Sequence, residues 1–225
     1  MSEREAILSR IREALKISAP QPGLHDHDAP PGGDLRNYSK WLPAVGADQA
    51  EQIALFRTNS TELHTDFRLI DSMSHMVSEI ASISGKENWR KIARHRGALV
   101  DDALSMLDLP SITTDDGYDV NALESSDAGI TECDALIAQT GTVLVTSRSA
   151  GGRALSVLPP HHVVIARRDQ LLPDLPSAFA LLKKKYADAY PGMISLITGP
   201  SRTGDIERIL VLGAHGPKKL TVLCV

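Results

Sequence analysis

Side chains that could bind an anion form three polar clusters in the second half of the sequence, each after an apolar run. They are Thr140-Gly141-Thr142 (the TGT loop), residues 148–153 with the following Pro159-Pro160-His161-His162, and residues 199–205 (the GPSRTGD loop). A glycine-rich turn after a strand offers free backbone N–H groups, which together hold an anion. Arg202 adds a planar fork of donors that matches a carboxylate or a phosphate. These residue types predict a site for a small anionic ligand.

The GPSRTGD loop has a second interpretation, which the sequence leaves open. Ser201 and Thr203 supply hydroxyl donors to a ligand, whereas Asp205 can instead cap the segment that follows. Arg202 can equally pair with a nearby acid and so hold a tight turn. The chain contains no GxxxxGK[ST] pattern, so the loop is not a phosphate-binding loop of the Walker A type.

His215, in the sequence GAHGP, is the candidate for proton transfer, because the unperturbed pKa of histidine lies near neutrality. Its spacing alone favours a structural role, in which it orients the loop through backbone hydrogen bonds. Cys133 stands between Glu132 and Asp134, whose charges raise a thiol pKa and so disfavour a nucleophilic thiolate. Cys224 is expected in the core.

Composition limits the classes of partner and cofactor. The formal net charge of −4 predicts no pull toward nucleic acid or an anionic membrane. The two cysteines form no CxxC pair, so no zinc site or iron–sulfur cluster is expected in this chain, and no cofactor is evident. His25 and His27, in a loop rich in proline and glycine, are expected to be solvated. Without a leader pattern or a long apolar run, the sequence favours a cytoplasmic protein.

Short apolar strands alternate with amphipathic helices along the chain, which predicts an α/β fold with an open, largely parallel sheet flanked by helices. Residues 1–45 are predicted to hold a helix and a linker, mobile over 18–36, and residues 46–225 to form the α/β domain. The segment NWRKIARHR is predicted to be helical, GALV to be a buried strand, and DIERILVLG to be either. Because ligands bind beyond the carboxyl ends of strands, the TGT and GPSRTGD loops should share one sheet edge and one pocket.

Three segments taken together resemble the LutC/YkgG family, the LUD-domain proteins of lactate utilisation that include lactate utilisation protein C. The segments are GITECDALIAQTGTVLV, RALSVLPPHHVVI and ITGPSRTGDIERILVLGAHGP. The resemblance is close over 127–225 and loose before that. It implies the fold shared by coenzyme A transferases, ribose-5-phosphate isomerases and glucosamine-6-phosphate deaminases. The N-terminal helical appendage is predicted from the residues alone and is not fixed by the resemblance. The resemblance also implies a component of a system that oxidises L-lactate to pyruvate with two iron–sulfur partner proteins.

The resemblance and the residue types together give the candidate site. The catalytic candidates are His215 and Asp205. The substrate-binding candidates are Thr140, Gly141, Thr142, Arg153, His161, Gly199, Ser201, Arg202 and Thr203. Asp134, Pro159, Pro200, Gly216 and Pro217 also match the family's motif positions, and His162 is the alternative to His161 at its position. Gln139 departs from the pattern, since many relatives have Glu there, and this chain would lack that carboxylate as a general base.

Two functions from different classes stay open at this point. The first is a subunit of an L-lactate-oxidising complex that binds a small carboxylate or phosphate. The alternative is a stand-alone isomerase, deaminase or transferase that acts on a phosphosugar or a coenzyme A ester. Whether this chain itself performs chemistry is also open, and a scaffold for the partner proteins is a third interpretation. Fold class does not decide among them.

Overall fold

The computed structural model describes residues 3–14, 16, 43–204, 210–213 and 215–225. The predicted mobile segment 18–36, with His25 and His27, lies outside the described residues, and so does Asp205. The chain divides into two units, Met1–Leu42 and Pro43–Val225. In the first unit, α1 spans Glu3–Ala14, where the sequence predicts a helix.

The second unit alternates helices and strands. Its helices are α2 (Gln49–Glu62), α3 (Met73–Glu87), α4 (Ala98–Ala103), α5 (Val120–Glu124) and α6 (Leu175–Tyr186). Its strands are β1 (Asp66–Leu69), β2 (Ile92–Arg94), β3 (Ser111–Thr113), β4 (Ala128–Glu132), β5 (Ala135–Ile137), β6 (Thr142–Thr146), β7 (His161–Ala166), β8 (Leu171–Leu172), β9 (Ile194–Ile197), β10 (Arg202–Gly204), β11 (Leu210–Leu212) and β12 (Lys219–Cys224). No helix in the described part of the chain is long and apolar enough to cross a bilayer.

Six strands form a wholly parallel sheet, in the order β1-β12-β7-β4-β2-β3. Every residue of β7 is buried, as is expected of a central parallel strand that is covered on both faces. The helices α3 and α4 cover one face, where Met76 and Ile80 pack with Ile130 and Val163. The predicted α/β fold with a largely parallel sheet is therefore confirmed.

A second sheet has the order β8-β5-β6-β9, with β6 antiparallel to both of its neighbours. Its strands and Phe56 of α2 share a core with the face of the parallel sheet opposite α3. The strands β10 and β11 form a separate antiparallel hairpin, which follows β9 along the chain. The third polar cluster lies in β10 and the residues just before it, and the loop after β11 carries His215.

Two element predictions are wrong. The segment NWRKIARHR contains β2 rather than a helix, because α3 ends at Asn88 in the left-handed conformation and Ile92 then pairs with β3 and β4. The segment GALV begins α4 rather than a strand, since Leu99, Val100 and Ala103 lie on one helical face and are all buried. In DIERILVLG, for which the sequence allows a helix or a strand, Leu210–Leu212 is a strand, and residues 205–209 lie outside the described residues.

Candidate functional site

The GPSRTGD loop and the loop around His215 lie against each other. Ser201 N donates to Pro217 O at 2.8 Å, and Gly213 N donates to Ser201 O at 3.0 Å. Lys218 N then donates to Pro160 O at 2.8 Å, which ties the His215 loop to the start of β7. Both loops therefore meet at the amino ends of β7 and β12. The sequence predicts a ligand site beyond the carboxyl ends of the strands. In the parallel sheet the two loops lie at the opposite edge.

A cavity of about 370 Å³ opens at this edge, and we name it the amino-edge cavity. Its lining includes His161, Glu87, Thr221, Lys218, Lys219 and Arg202. It is also lined by His64, Asp66, Arg68, Ile83, Pro200 and Leu220.

Among the described residues, the cations around the amino-edge cavity outnumber the acids that could neutralise them. Arg68 is held by Asp66 and Glu79, and Lys219 Nζ lies 2.8 Å from Glu87 Oε1. Arg202 and Lys218 are exposed, and neither side chain forms an ion pair with any described residue. Within the described part of the chain, two positive charges are therefore left to attract an anion into the cavity.

His161, at the wall of this cavity, is held by hydrogen bonds at both ring nitrogens. Its Nδ1 lies 2.9 Å from Glu87 Oε2, and its Nε2 lies 2.9 Å from Thr221 Oγ1. Burial would raise the pKa of Glu87, but hydrogen bonds from Lys219 and His161 outweigh it and leave that pKa below its ordinary value. Burial lowers the pKa of His161, and the bond to Glu87 only partly offsets this. At neutral pH the pair is therefore an ionised carboxylate and a neutral imidazole.

A second cavity, of about 250 Å³, lies next to the first and shares Pro200 and Leu220 with it. Ser201, His215 and the buried His162 line it. His162 Nε2 lies 2.8 Å from Thr131 Oγ1, whereas its Nδ1 has no hydrogen-bond partner among the described residues. Burial lowers the pKa of His162 to about 3, so the ring is neutral and cannot serve as a cation for the anion.

The TGT loop lies at the same edge of the smaller sheet as the start of the GPSRTGD loop. Thr142 Oγ1 is 2.9 Å from Thr198 Oγ1, the residue before Gly199, which agrees with the prediction of one sheet edge. The TGT residues nevertheless line neither of the two cavities. The common pocket predicted for the two loops is therefore not found in these cavities.

The TGT loop packs against α2 instead. Asn59 Nδ2 donates to Ala138 O and to Gln139 O, each at 2.9 Å. Gly141 has φ +61°, and a Cβ placed there would lie 2.5 Å from Ser60 N. Gln139 Nε2 donates to Pro43 O at 3.0 Å, while Gln139 Oε1 and Thr140 Oγ1 have no partner among the described residues.

Three further candidates, Arg153, Gly199 and Thr203, have structural contacts of their own. Arg153 donates to Gly192 O at 2.7 Å and lines neither cavity. Gly199 has φ +97°, and a Cβ there would lie 2.5 Å from Leu63 O, so it permits a close approach to the end of α2. Thr203 lies in the β10–β11 hairpin, opposite Val211. The structure thus brings together, at the two neighbouring cavities, five residues of the predicted set: His161, Gly199, Ser201, Arg202 and His215.

Residues that the sequence did not single out complete this site. They are Glu87, Lys218 and Thr221. His162, which the sequence offered only as the alternative to His161, lines the second cavity, because neighbouring residues of a strand point to opposite faces. Glu87 lies 74 positions from His161, and no sequence spacing reveals that contact.

At the opposite edge, Cys133 and Asp134 follow β4. Burial raises the pKa of Cys133, which agrees with the prediction that it is not a nucleophile. Asp134 Oδ1 accepts hydrogen bonds from Lys185 Nζ and Tyr186 OH, both at 2.6 Å. Burial would raise the pKa of Asp134, but these and other hydrogen bonds outweigh it and lower that pKa. No group of three or more His, Cys, Asp or Glu among the described residues is placed to hold a metal ion.

Comparison with known proteins identifies the family to which this chain is similar. The LUD domain model matches residues 102–225, more than half of the chain. Lactate utilization protein C of Macrococcus caseolyticus is 29% identical over 98% of this chain and 94% of that protein. Lactate utilization protein C of Bacillus licheniformis is 35% identical over 47% of this chain and 45% of that protein.

A solved structure supports the fold independently. The crystal structure of a DUF162 family protein from Deinococcus radiodurans is similar, with a TM-score of 0.64 at 21% identity. The match covers 80% of this chain and 99% of that chain. Together with the order of the motifs between Glu132 and Pro217, the extent of the domain match settles the family. The chain belongs to the LUD domain family.

Proposed function

We propose that this protein is a component of an L-lactate utilisation system and that it binds a small carboxylate or phosphate in the amino-edge cavity. The names of its relatives support the process. One observation carries the binding site: Arg202 and Lys218 face a cavity of about 370 Å³ without an ion-pair partner among the described residues. A small 2-hydroxy or 2-keto acid is within the size that such a cavity holds.

Arg202 would provide most of the affinity in this proposal. A guanidinium binds a carboxylate through two parallel hydrogen bonds, whereas an ammonium acts as a point charge. Lys218 would add such a charge beside it. The stem of Lys218 lies over Gly213, where a Cβ would be 2.2 Å from Lys218 Cγ, so this lysine is partly fixed in position.

The partners that we propose are iron–sulfur proteins. Oxidation of a 2-hydroxy acid to a 2-keto acid releases two electrons, which need an acceptor. Cys133 and Cys224 of this chain are both buried as free thiols, and burial raises the pKa of each. A buried thiol of raised pKa is a poor metal ligand and a poor nucleophile. We therefore place the electron transfer in the partner proteins.

Calorimetric titration with L-lactate, pyruvate and inorganic phosphate tests the binding site. Replacement of Arg202 by lysine keeps the charge but loses the fork, which should weaken binding by about 1.5–3 kcal/mol, roughly 10- to 150-fold. Arg96→Lys is the matched control, because Arg96 pairs with Asp116 beyond the carboxyl end of β2 and neither residue lines this cavity. Equal affinity of the wild type and Arg202→Lys for whichever anion binds would refute the role of Arg202. Thermal melts of all three proteins check that folding is unchanged.

A further inference from the structure

Three side chains at the amino-edge cavity form a continuous chain of hydroxyl, imidazole and carboxylate. An ionised carboxylate only accepts hydrogen bonds, so His161 Nδ1 carries the proton that is donated to Glu87 Oε2 at 2.9 Å. The Nε2 of the neutral ring then carries the lone pair. Thr221 therefore donates its hydroxyl proton to His161 Nε2, at 2.9 Å. The lone pair is aimed at the one proton whose removal makes Thr221 a nucleophile.

The three residues come from three separate elements, and contacts with neighbouring side chains fix their positions. Glu87 is the last residue of α3, His161 the first of β7, and Thr221 the third of β12. Lys219 Nζ and Trp89 Nε1 also donate to the Glu87 carboxylate, at 2.8 and 3.2 Å. The Trp89 ring meets the His161 ring edge-on, with centroids 5.5 Å apart. The imidazole is therefore held in one orientation and one tautomer.

All three groups line the cavity, although Thr221 is only 3% exposed and lies at its floor. A hydroxyl held by a base that a third group orients is the arrangement that activates a weak nucleophile. Arg202 and Lys218, at the same cavity, supply positive charge for an oxyanion or for an anionic part of the substrate.

We propose that Thr221, His161 and Glu87 form a nucleophilic centre that accepts the acyl group of a small activated ester or thioester. A bond forms between Thr221 Oγ1 and the carbonyl carbon, and the bond from that carbon to the leaving oxygen or sulfur breaks. The Thr221 proton passes to His161 Nε2 and from there to the leaving group. Water then attacks the threonyl ester by the same route, which releases the acid and restores the hydroxyl. This activity uses the cavity of the proposed function but does not require lactate as a ligand.

The chain contains its own matched comparison. Thr131 Oγ1 lies 2.8 Å from His162 Nε2, which reproduces the hydroxyl–imidazole contact. No described residue bonds to His162 Nδ1, however, so no carboxylate orients that ring. Thr131 also lines neither cavity. Removal of the Thr131 hydroxyl should therefore leave acylation unchanged, whereas removal of the Thr221 hydroxyl should abolish it.

Acylation by p-nitrophenyl acetate measures this directly. The wild type should release nitrophenolate in a burst of one equivalent or less, and mass spectrometry of its peptides should find acetyl on Thr221. Thr221→Val keeps the shape and loses the hydroxyl, so the adduct should disappear and the rate should fall by at least about 100-fold. Glu87→Gln should slow acylation similarly, because the amide no longer fixes the tautomer. Thr131→Val should behave as the wild type.

Three results would overturn the nucleophilic centre. They are a wild type that shows neither burst nor adduct, an acetyl group found only on lysines, and equal rates for Thr221→Val and the wild type. The first of these needs no variant, so the test stands even if Thr221→Val fails to fold. Near-ultraviolet circular dichroism compares the fold of each variant with the wild type. Anion affinity is measured separately by calorimetry, so failure here leaves the proposed function standing, and the reverse also holds.

Discussion

Replacement of Gly141 by alanine should destabilise the protein strongly, because the TGT loop packs against the backbone of α2. A left-handed backbone conformation costs an L-residue about 1–2 kcal/mol, and Gly141 has φ +61°. The new Cβ would also lie 2.5 Å from Ser60 N and 2.8 Å from the carbonyl carbon of Asn59. Backbone atoms cannot turn aside as a side chain does, so overpacking adds about 1–3 kcal/mol. The expected loss in free energy of unfolding is about 2–5 kcal/mol.

Urea denaturation measures this loss, and Gly117→Ala separates its two parts. Gly117 has φ +93°, and a Cβ there would meet nothing within 4 Å, so this control carries backbone strain alone. Gly141→Ala should lower the unfolding midpoint well beyond the control. A loss no larger than that of Gly117→Ala would refute the packing role. If Gly141→Ala instead kept full stability but lost anion binding, the TGT loop would be part of the ligand site after all.

Three further predictions concern buried polar groups. Burial lowers the pKa of His162 to about 3, so the unfolded chain binds a proton that the folded chain does not. The wild type should therefore lose stability as pH falls from about 6.5 toward 3, by at most about 1.4 kcal/mol per pH unit. Urea melts at several pH values should show a flatter slope for His162→Gln. Asp134 has a lowered pKa, so Asp134→Asn should cost about 1.5–3 kcal/mol at neutral pH, and the difference should shrink below about pH 3.9, measured by the same melts. Asn59→Ala should cost about 1–3 kcal/mol in thermal unfolding, because the carbonyls of Ala138 and Gln139 both lose the Asn59 amide donor, and Ala138 O keeps only the longer bond from Gly141 N at 3.4 Å; an unchanged melting temperature would contradict this.

The parallel sheet could be predicted because its central strands carry their pattern locally. HHVVIA and KLTVLCV are short, β-branched and apolar on both faces, which is typical of a strand buried in a parallel sheet. The helix predicted around Ile92 was wrong because the charged residues of this segment suit a helix surface, whereas pairing with β3 and β4 makes it a strand. Tertiary contacts of this kind leave no local signal.

The candidate site could be predicted in part. The residue types around Ser201, Arg202 and His215 predict two polar loops, and in the structure these two loops contact each other. The edge of the parallel sheet at which the two loops lie could not be predicted. The GPSRTGD loop follows β9, which belongs to the smaller sheet, and the chain then enters the parallel sheet at the amino end of β12. The carboxylate of Glu87 reaches His161 from α3, a contact that exists only in the folded chain.

Growth of the native host on L-lactate as sole carbon source tests the central claim, that the protein serves lactate utilisation through Arg202 at the amino-edge cavity. A strain that lacks the gene should fail to grow, and the wild-type gene should restore growth. Arg96→Ala should restore it equally, because Arg96 pairs with Asp116 away from the cavity. Arg202→Ala, produced at the same level and with the same melting temperature, should not restore it. Normal growth of the deletion strain, or full rescue by Arg202→Ala, would contradict the claim.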